Sequence, residues 1–252
     1  MIAKYIASCS FGKDSLAAII TRIEHGKSVD GAIYCRIMFD NKISAEYPEH
    51  EEWIHDHAIP LLESRYGINT TVIQAQTNYT EQFYRVVQKK TKNYGKIWGF
   101  PFINAAWCNS GLKMRPIRDW KSQAEEHTEI VGIAADEPNR ARKATVKGKI
   151  LPLVEYGIVE ADTFGICRDA TLLSPAYKNG RERLGCWFCH NQRIGELRQL
   201  RREYPELWNK LMRLDKDSPV SFKPPPKRGS PGVTLHDMEE RFSNEEAQMT
   251  LY

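Results

Sequence analysis

The chain has 252 residues, 41% hydrophobic and 27% charged. That profile excludes a disordered chain and fits one α/β domain with an appended segment, or two small domains. A formal charge of +4 permits an anionic ligand without arguing for nucleic acid. No apolar run is long enough to cross a membrane, and the first residues do not read as a signal peptide. The expected compartment is therefore the cytoplasm, where the six cysteines are core thiols or ligands rather than disulfides.

Tyr5 to Cys9 is short, apolar and uncharged, and predicts a buried strand. After Gly12, the positions Leu16, Ala17, Ile19, Ile20 and Ile23 recur at helical spacing up to a stop at His25-Gly26. Ala32 to Phe39 predicts a second strand, ending at Asp40. Glu46 to Arg65 predicts helix broken or started near Pro60. Thr70 to Ala75 and Glu129 to Ala134 predict the third and fourth strands. Strands alternating with helical runs imply crossovers, hence a doubly wound α/β fold with a mainly parallel sheet. The aromatic-rich stretch from Thr77 to Trp107 reads as an insertion or lid. Beyond it, Glu160 to Arg168 predicts a short helix and Gln192 to Leu214 a longer one, which Pro205 restarts. Residues 219–252, with Pro224-Pro225-Pro226 and Lys227-Arg228-Gly229, read as an extended tail. The expected organisation is a nucleotide-binding domain over 1–155, a helical cysteine-bearing segment over 156–218, and that tail.

The strand–loop–helix around Ser10-Phe11-Gly12-Lys13-Asp14-Ser15 has the makings of an anion cradle. Gly12 is expected to let the backbone turn sharply and approach a ligand, and the helix start offers unpaired N–H groups and a positive dipole end. Ser10 and Ser15 supply hydroxyls and Lys13 supplies charge. The run is neither a Walker loop nor a dinucleotide fingerprint. The alternative is a helix start in which Ser and Asp serve only as caps.

The run resembles the PP-loop of the ATP pyrophosphatase and phosphoadenosine-phosphosulfate (PAPS) reductase superfamily, usually Ser-Gly-Gly-Lys-Asp-Ser, with Phe11 in place of the first glycine. Trp107-Cys108-Asn109-Ser110-Gly111-Leu112-Lys113 and Gly132-Ile133-Ala134-Ala135-Asp136-Glu137, followed by Arg140 and Arg142, resemble further stretches of reductase-like members. The resemblance implies an adenine nucleotide alpha-hydrolase-like fold with a C-terminal helical segment. It also implies that Asp40, Lys113, Arg140 and Arg142 join Ser10 to Ser15 around the nucleotide. Arginine would give bidentate phosphate pairing, and Asp136 or Glu137 would hold Mg²⁺. Lys13, Asp14 and Asp136 are the expected catalytic residues.

Gly185-Cys186-Trp187-Phe188-Cys189-His190 has the spacing of a metal knuckle, or of a redox dithiol. It resembles the Gly-Cys-Trp-x-Cys of reductase-like sulfur-modifying proteins. With Cys108 and Cys167 it makes a four-thiolate set in which His190 is an alternative fourth ligand. The resemblance favours a 4Fe–4S cluster, with zinc as the alternative. Cys9 and Cys35 lie inside apolar strands and read as core thiols.

PP-loop proteins are expected to bind ATP with Mg²⁺ and cleave between the α and β phosphates, adenylating a substrate. The reductase branch instead binds PAPS and attacks its sulfur with a cysteine of a Glu-Cys-Gly-Leu-His motif, which this sequence lacks. The expectation is therefore an ATP-dependent adenylyl or sulfur transferase acting with a nucleic acid substrate or a cysteine desulfurase-like sulfur donor. A sulfonucleotide reductase and a non-catalytic nucleotide sensor are the alternatives.

Overall fold

The computed structural model describes residues 4–90, 93–101, 106–223, 225 and 230–249. The chain divides into two compact units that interleave along the sequence. The first comprises Met1–Arg36, Glu46–Ala75 and Arg115–Gly185, and the second Ile37–Ala45, Gln76–Met114 and Cys186–Tyr252. The expected serial division at 155 and 218 is replaced by this interleaving.

In the first unit, strands β1 (Lys4–Ser8), β2 (Gly31–Arg36), β3 (Thr70–Gln74) and β4 (His127–Val131) form an all-parallel sheet in the order β3-β2-β1-β4. Ala7 lies level with Ala32 on one side and Ile130 on the other. All three are buried, as expected for the centre of a parallel sheet. The chain steps outward from β1 to β3, then returns past β1 to β4. With right-handed crossovers, that reversal puts connections on opposite faces and makes the carboxyl ends of β1 and β4 the topological switch point.

Helix α1 (Lys13–Glu24) packs its apolar stripe, Leu16 to Ile20, into the core with Phe11, Tyr34 and Leu153. Helices α2 (Pro48–Trp53) and α3 (Ile59–Tyr66) are joined by a π-helical turn, Ile54–Ala58. Pro60 therefore sits inside a continuous helical run instead of breaking it. The Ile59 N–H reaches back five residues to Ile54, and this wider turn comes just before the proline that cannot donate. Helices α4 (Tyr79–Phe83, in the second unit), α5 (Arg115–Gln123), α6 (Pro138–Thr145), α7 (Pro152–Glu155) and α8 (Thr163–Asp169) follow in chain order. Among the described residues no helix is long and apolar enough to cross a membrane.

The second unit contains α4, a π-helical segment at Cys108–Met114, and helices α9 (Ile194–Glu203), α10 (Pro205–Asp217) and α11 (Leu235–Met249). Pro205 opens α10 as expected. Helix α11 corrects the extended-tail reading. Leu235, Met238 and Phe242 are buried at helical spacing, and Glu239 receives Arg201 and the Trp208 indole N–H. Apart from Pro225, the proline and basic run at 224–229 lies outside the described residues.

Candidate functional site

The loop Ser10 to Ser15 leaves the carboxyl end of β1, and its geometry is set by Phe11. That residue has φ +56°, a left-handed conformation that is strained for a bulky side chain. Full burial holds it there: its ring stands edge-on to Tyr34 at 5.1 Å, and its N–H meets Cys9 Sγ at 3.4 Å. Gly12 has an ordinary φ of −75° and is the N-cap of α1, with no side-chain cap. The sharp turn assigned to Gly12 is therefore made by Phe11. The capping alternative, with Ser or Asp as N-cap, is not what the helix start shows. Ser15 Oγ instead braces the loop, donating to Gly12 O at 2.9 Å and accepting the Ser10 N–H at 3.2 Å.

Around the loop, Lys13 is buried and its ammonium donates to Asp14 Oδ1 at 2.7 Å and Glu160 Oε1 at 2.9 Å. Its backbone N–H donates to the Tyr177 hydroxyl at 2.9 Å. Thr163 Oγ1 donates to Asp14 Oδ1 at 3.1 Å, and the Glu160 N–H donates to Asp136 Oδ1, also at 3.1 Å. Asp136 follows β4, and a Cβ on neighbouring Gly132 would stand 2.3 Å from Asp14 O. The loop after β4 thus lies directly against the first turn of α1, and only glycine permits it. Ser10, Lys13, Asp14, Ser15 and Asp136 come together at the switch point. Glu160, Thr163 and Tyr177 join them, and sequence reasoning missed all three.

The expected arginines stand differently. Arg140 is exposed on α6 and pairs with Glu137, and Arg142 is exposed on the same helix. Asp40 and Lys113 belong to the second unit. Asp40 works as a turn residue: its Oδ1 accepts the Lys42 and Ile43 N–H groups at 2.8 Å each, and Oδ2 faces Lys210 at 3.5 Å. Burial works against ionisation there, but these donors hold the carboxyl below its ordinary value.

Cys167 lies in the first unit, apart in the chain division from the other three expected ligands. Its thiol donates to Lys13 O at 3.2 Å within the apolar core of the first unit. Burial, then Asp14, pushes it up to about 12. Cys108, Cys186 and Cys189 lie in the second unit. The Cys186-to-Cys189 turn closes with a Cys189 N–H bond to Cys186 O at 2.9 Å, and Trp187 anchors it by donating to Ser44 O and Ala45 O, each at 2.9 Å. The Lys223 ammonium donates to His190 O at 2.6 Å and to Gln192 O. Burial, then neighbouring Cys189, pushes the Cys108 thiol up to about 11.

Tyr79 Oη, Trp107 Nε1 and His190 Nε2 are buried here with no hydrogen-bond partner among the described residues. Such orphans call for an explanation, an ion among them. Thiols and an imidazole are the donor types a soft metal takes. Among the described residues, no three His, Cys, Asp or Glu side chains already stand close enough together to hold a metal ion.

No family model matches the chain. It is 26% identical over 213 residues to the uncharacterized protein MJ0066 of Methanocaldococcus jannaschii, covering 80% of this chain. It is 23% identical over 226 residues to the uncharacterized protein MJ0973 of the same organism, covering 83%. The matches span 39% and 50% of those two relatives' lengths.

Proposed function

We propose that the chain is a PP-loop enzyme of adenine nucleotide alpha-hydrolase-like fold that binds ATP with Mg²⁺ and activates an acceptor by adenylation. The observation that carries this reading is the start of α1 at the sheet's switch point, where the N-cap Gly12 has no side chain and the Tyr177 hydroxyl meets the Lys13 N–H. The strained Phe11 and the glycine-permitted contact with the loop after β4 fix it there. Backbone amides, Ser10 and Ser15 are the phosphate donors, and Lys13 neutralises the charge on departing pyrophosphate. The bond between the α and β phosphates breaks, the adenylyl group passes to a nucleophilic oxygen of the acceptor, and pyrophosphate leaves. Asp136, with one oxygen held by the Glu160 N–H, offers its other oxygen to Mg²⁺ arriving with the nucleotide. Glu160 and the Tyr177 hydroxyl stand where incoming phosphate must compete, so binding exchanges an internal carboxylate for the ligand's oxyanions.

Cys108, Cys186 and Cys189, with Cys167 or His190 as the fourth ligand, would hold the metal centre in this reading. When bound, a 4Fe–4S cluster supplies electron transfer or a labile sulfur, whereas zinc supplies structural order. The acceptor class that follows is a nucleic acid, with a cysteine desulfurase-like protein as the sulfur donor.

The test is titration calorimetry of anaerobically purified protein with ATP and Mg²⁺, followed by assays for pyrophosphate and sulfite. ATP binding with acceptor-dependent pyrophosphate release is the expected result. Sulfite release from PAPS would replace it with the reductase reading, binding without turnover with the sensor reading, and no nucleotide binding would sink the proposal.

A further inference from the structure

The aromatic-rich stretch after α4, expected to be an insertion or lid, has no part in the reaction above, and its charge is one-sided. Between Glu81 and Asp119 the sequence holds no acidic residue, while Arg85, Lys89, Lys90, Lys92 and Lys96 crowd into its first part. Residues 83–99 fold back on themselves as an antiparallel hairpin within the second unit. The Val87 N–H donates to Lys96 O at 2.9 Å, the Trp98 N–H to Arg85 O at 2.9 Å, and the Gly99 N–H to Phe83 O at 3.0 Å. Val86 stands opposite Ile97. Side chains alternate across such a ladder, so Arg85, Lys96 and Trp98 share one face. On that face the Arg85 guanidinium lies over the Trp98 indole, 4.9 Å from the ring centroid.

The root of the hairpin is fastened. Phe83 packs on Phe100 at 5.2 Å, Trp98 on Trp107 at 6.2 Å, and the Tyr84 hydroxyl donates to Asp217 Oδ2 at 2.6 Å. Further out, Arg85, Lys89, Lys90 and Lys96 are exposed, and so is Tyr94 at 59%. Among the described residues, none of these four cations pairs with a carboxylate. The arginines of α9 in the same unit differ, since Glu245 holds Arg198 and Glu239 holds Arg201. Cations gathered without acids repel one another, and a polyanion that neutralises them is favoured further by releasing its own counterions. The guanidinium–indole stack and the exposed phenol add flat faces on which unpaired bases can lie. An anionic lipid surface would call for a broad apolar face to insert, whereas the cations here stand beside rings that stack.

We propose that this hairpin grips the acceptor, a single-stranded polynucleotide whose phosphates meet Lys89, Lys90 and Lys96 and whose bases stack on Tyr94 and the Arg85–Trp98 pair. This rests on the nucleic acid acceptor of the reading above.

The experiment is fluorescence anisotropy of a labelled oligothymidylate of about 20 nucleotides, titrated with the full chain over a range of KCl. No nucleotide is present, so the outcome is separate from ATP binding. Wild type is expected to bind, more weakly as salt rises. Lys89→Ala, Lys90→Ala and Lys96→Ala combined are expected to weaken binding at least about tenfold and to lower the slope of log affinity against log salt by about 2. Tyr94→Ala is expected to weaken binding about tenfold with the slope unchanged. Wild-type affinity and slope in the lysine variant would overturn the hairpin's role and leave the acceptor reading standing. An unchanged Tyr94→Ala, or tighter binding to the duplex with oligodeoxyadenylate, would overturn the stacking on unpaired bases. Failure of wild type to bind the oligonucleotide would overturn the inference and the acceptor reading together, as would binding to phosphatidylserine vesicles in its place.

Discussion

The two units set their cysteines among different neighbours. In the first, every thiol near the loop has a local partner: Cys167 donates to Lys13 O, and Cys9 receives the Phe11 N–H and faces Ser15 Oγ at 3.7 Å. In the second, Cys108, Cys189 and Cys186 act on buried Tyr79, and Tyr79 Oη, Trp107 Nε1 and His190 Nε2 are buried with no hydrogen-bond partner among the described residues. Burial alone does not tell a core cysteine from a ligand. What separates them is whether the polar groups around the sulfur are already satisfied.

The largest expected effect breaks or confirms that contrast directly. Replacing Cys186 and Cys189 together with serine is expected to abolish bound metal, measured by elemental analysis of anaerobically purified protein. Cys167→Ser is expected to leave metal content at the wild-type level, because its thiol serves the first unit's core. Loss of metal in Cys167→Ser would place it in the ligand set.

Two histidines carry the contrast further. His50 and His190 both have a buried Nε2 without a hydrogen bond among the described residues. His50 differs because its Nδ1 is 2.8 Å from Ser174 Oγ and its Nε2 is 3.8 Å from Glu46 Oε2. Burial lowers its pKa from 6.5 to about 4, with Glu49 opposing and Arg181 assisting. The folded state thus refuses a proton that the unfolded chain accepts between those values. Its stability contribution is complete above pH 6.5 and is lost as pH falls toward 4, by roughly 3 kcal/mol at most. Chemical denaturation across that window should show the loss in wild type and a flatter profile in His50→Gln. Equal slopes would mean that His50 titrates normally.

Much of the fold was legible because it is local. The four strands, α1, the restart at Pro205 and the parallel α/β class follow from short apolar runs and helical spacing. The loop was legible as a string, but its internal wiring was not. Lys13 meets Glu160 and Tyr177, and Asp14 meets Thr163, across separations of 147, 164 and 149 residues. No local pattern marks such pairs. The hydrogen bond from Cys167 to Lys13 O spans 154 residues and is equally invisible to local pattern. Helix α11 was a different failure. Its Leu235, Met238 and Phe242 stand at helical spacing directly after a proline-rich run that by itself predicts extended chain.

The smallest expected effect tests where the loop stores its strain. Ordinarily alanine is preferred to glycine, because glycine loses more backbone entropy on folding. At position 11 the φ of +56° reverses that preference, since a Cβ there costs about 1–2 kcal/mol. Phe11→Ala and Phe11→Gly both lose the buried ring, at about 3–5 kcal/mol for such a truncation. The ring term nearly cancels between them, so their difference reads the backbone. Phe11→Gly is expected to be the more stable by about 1 kcal/mol in urea denaturation. The reverse order would mean that the loop relaxes out of the left-handed conformation once the ring is gone. In that case the Phe11–Tyr34 contact, rather than the loop's own backbone, holds the cradle in shape.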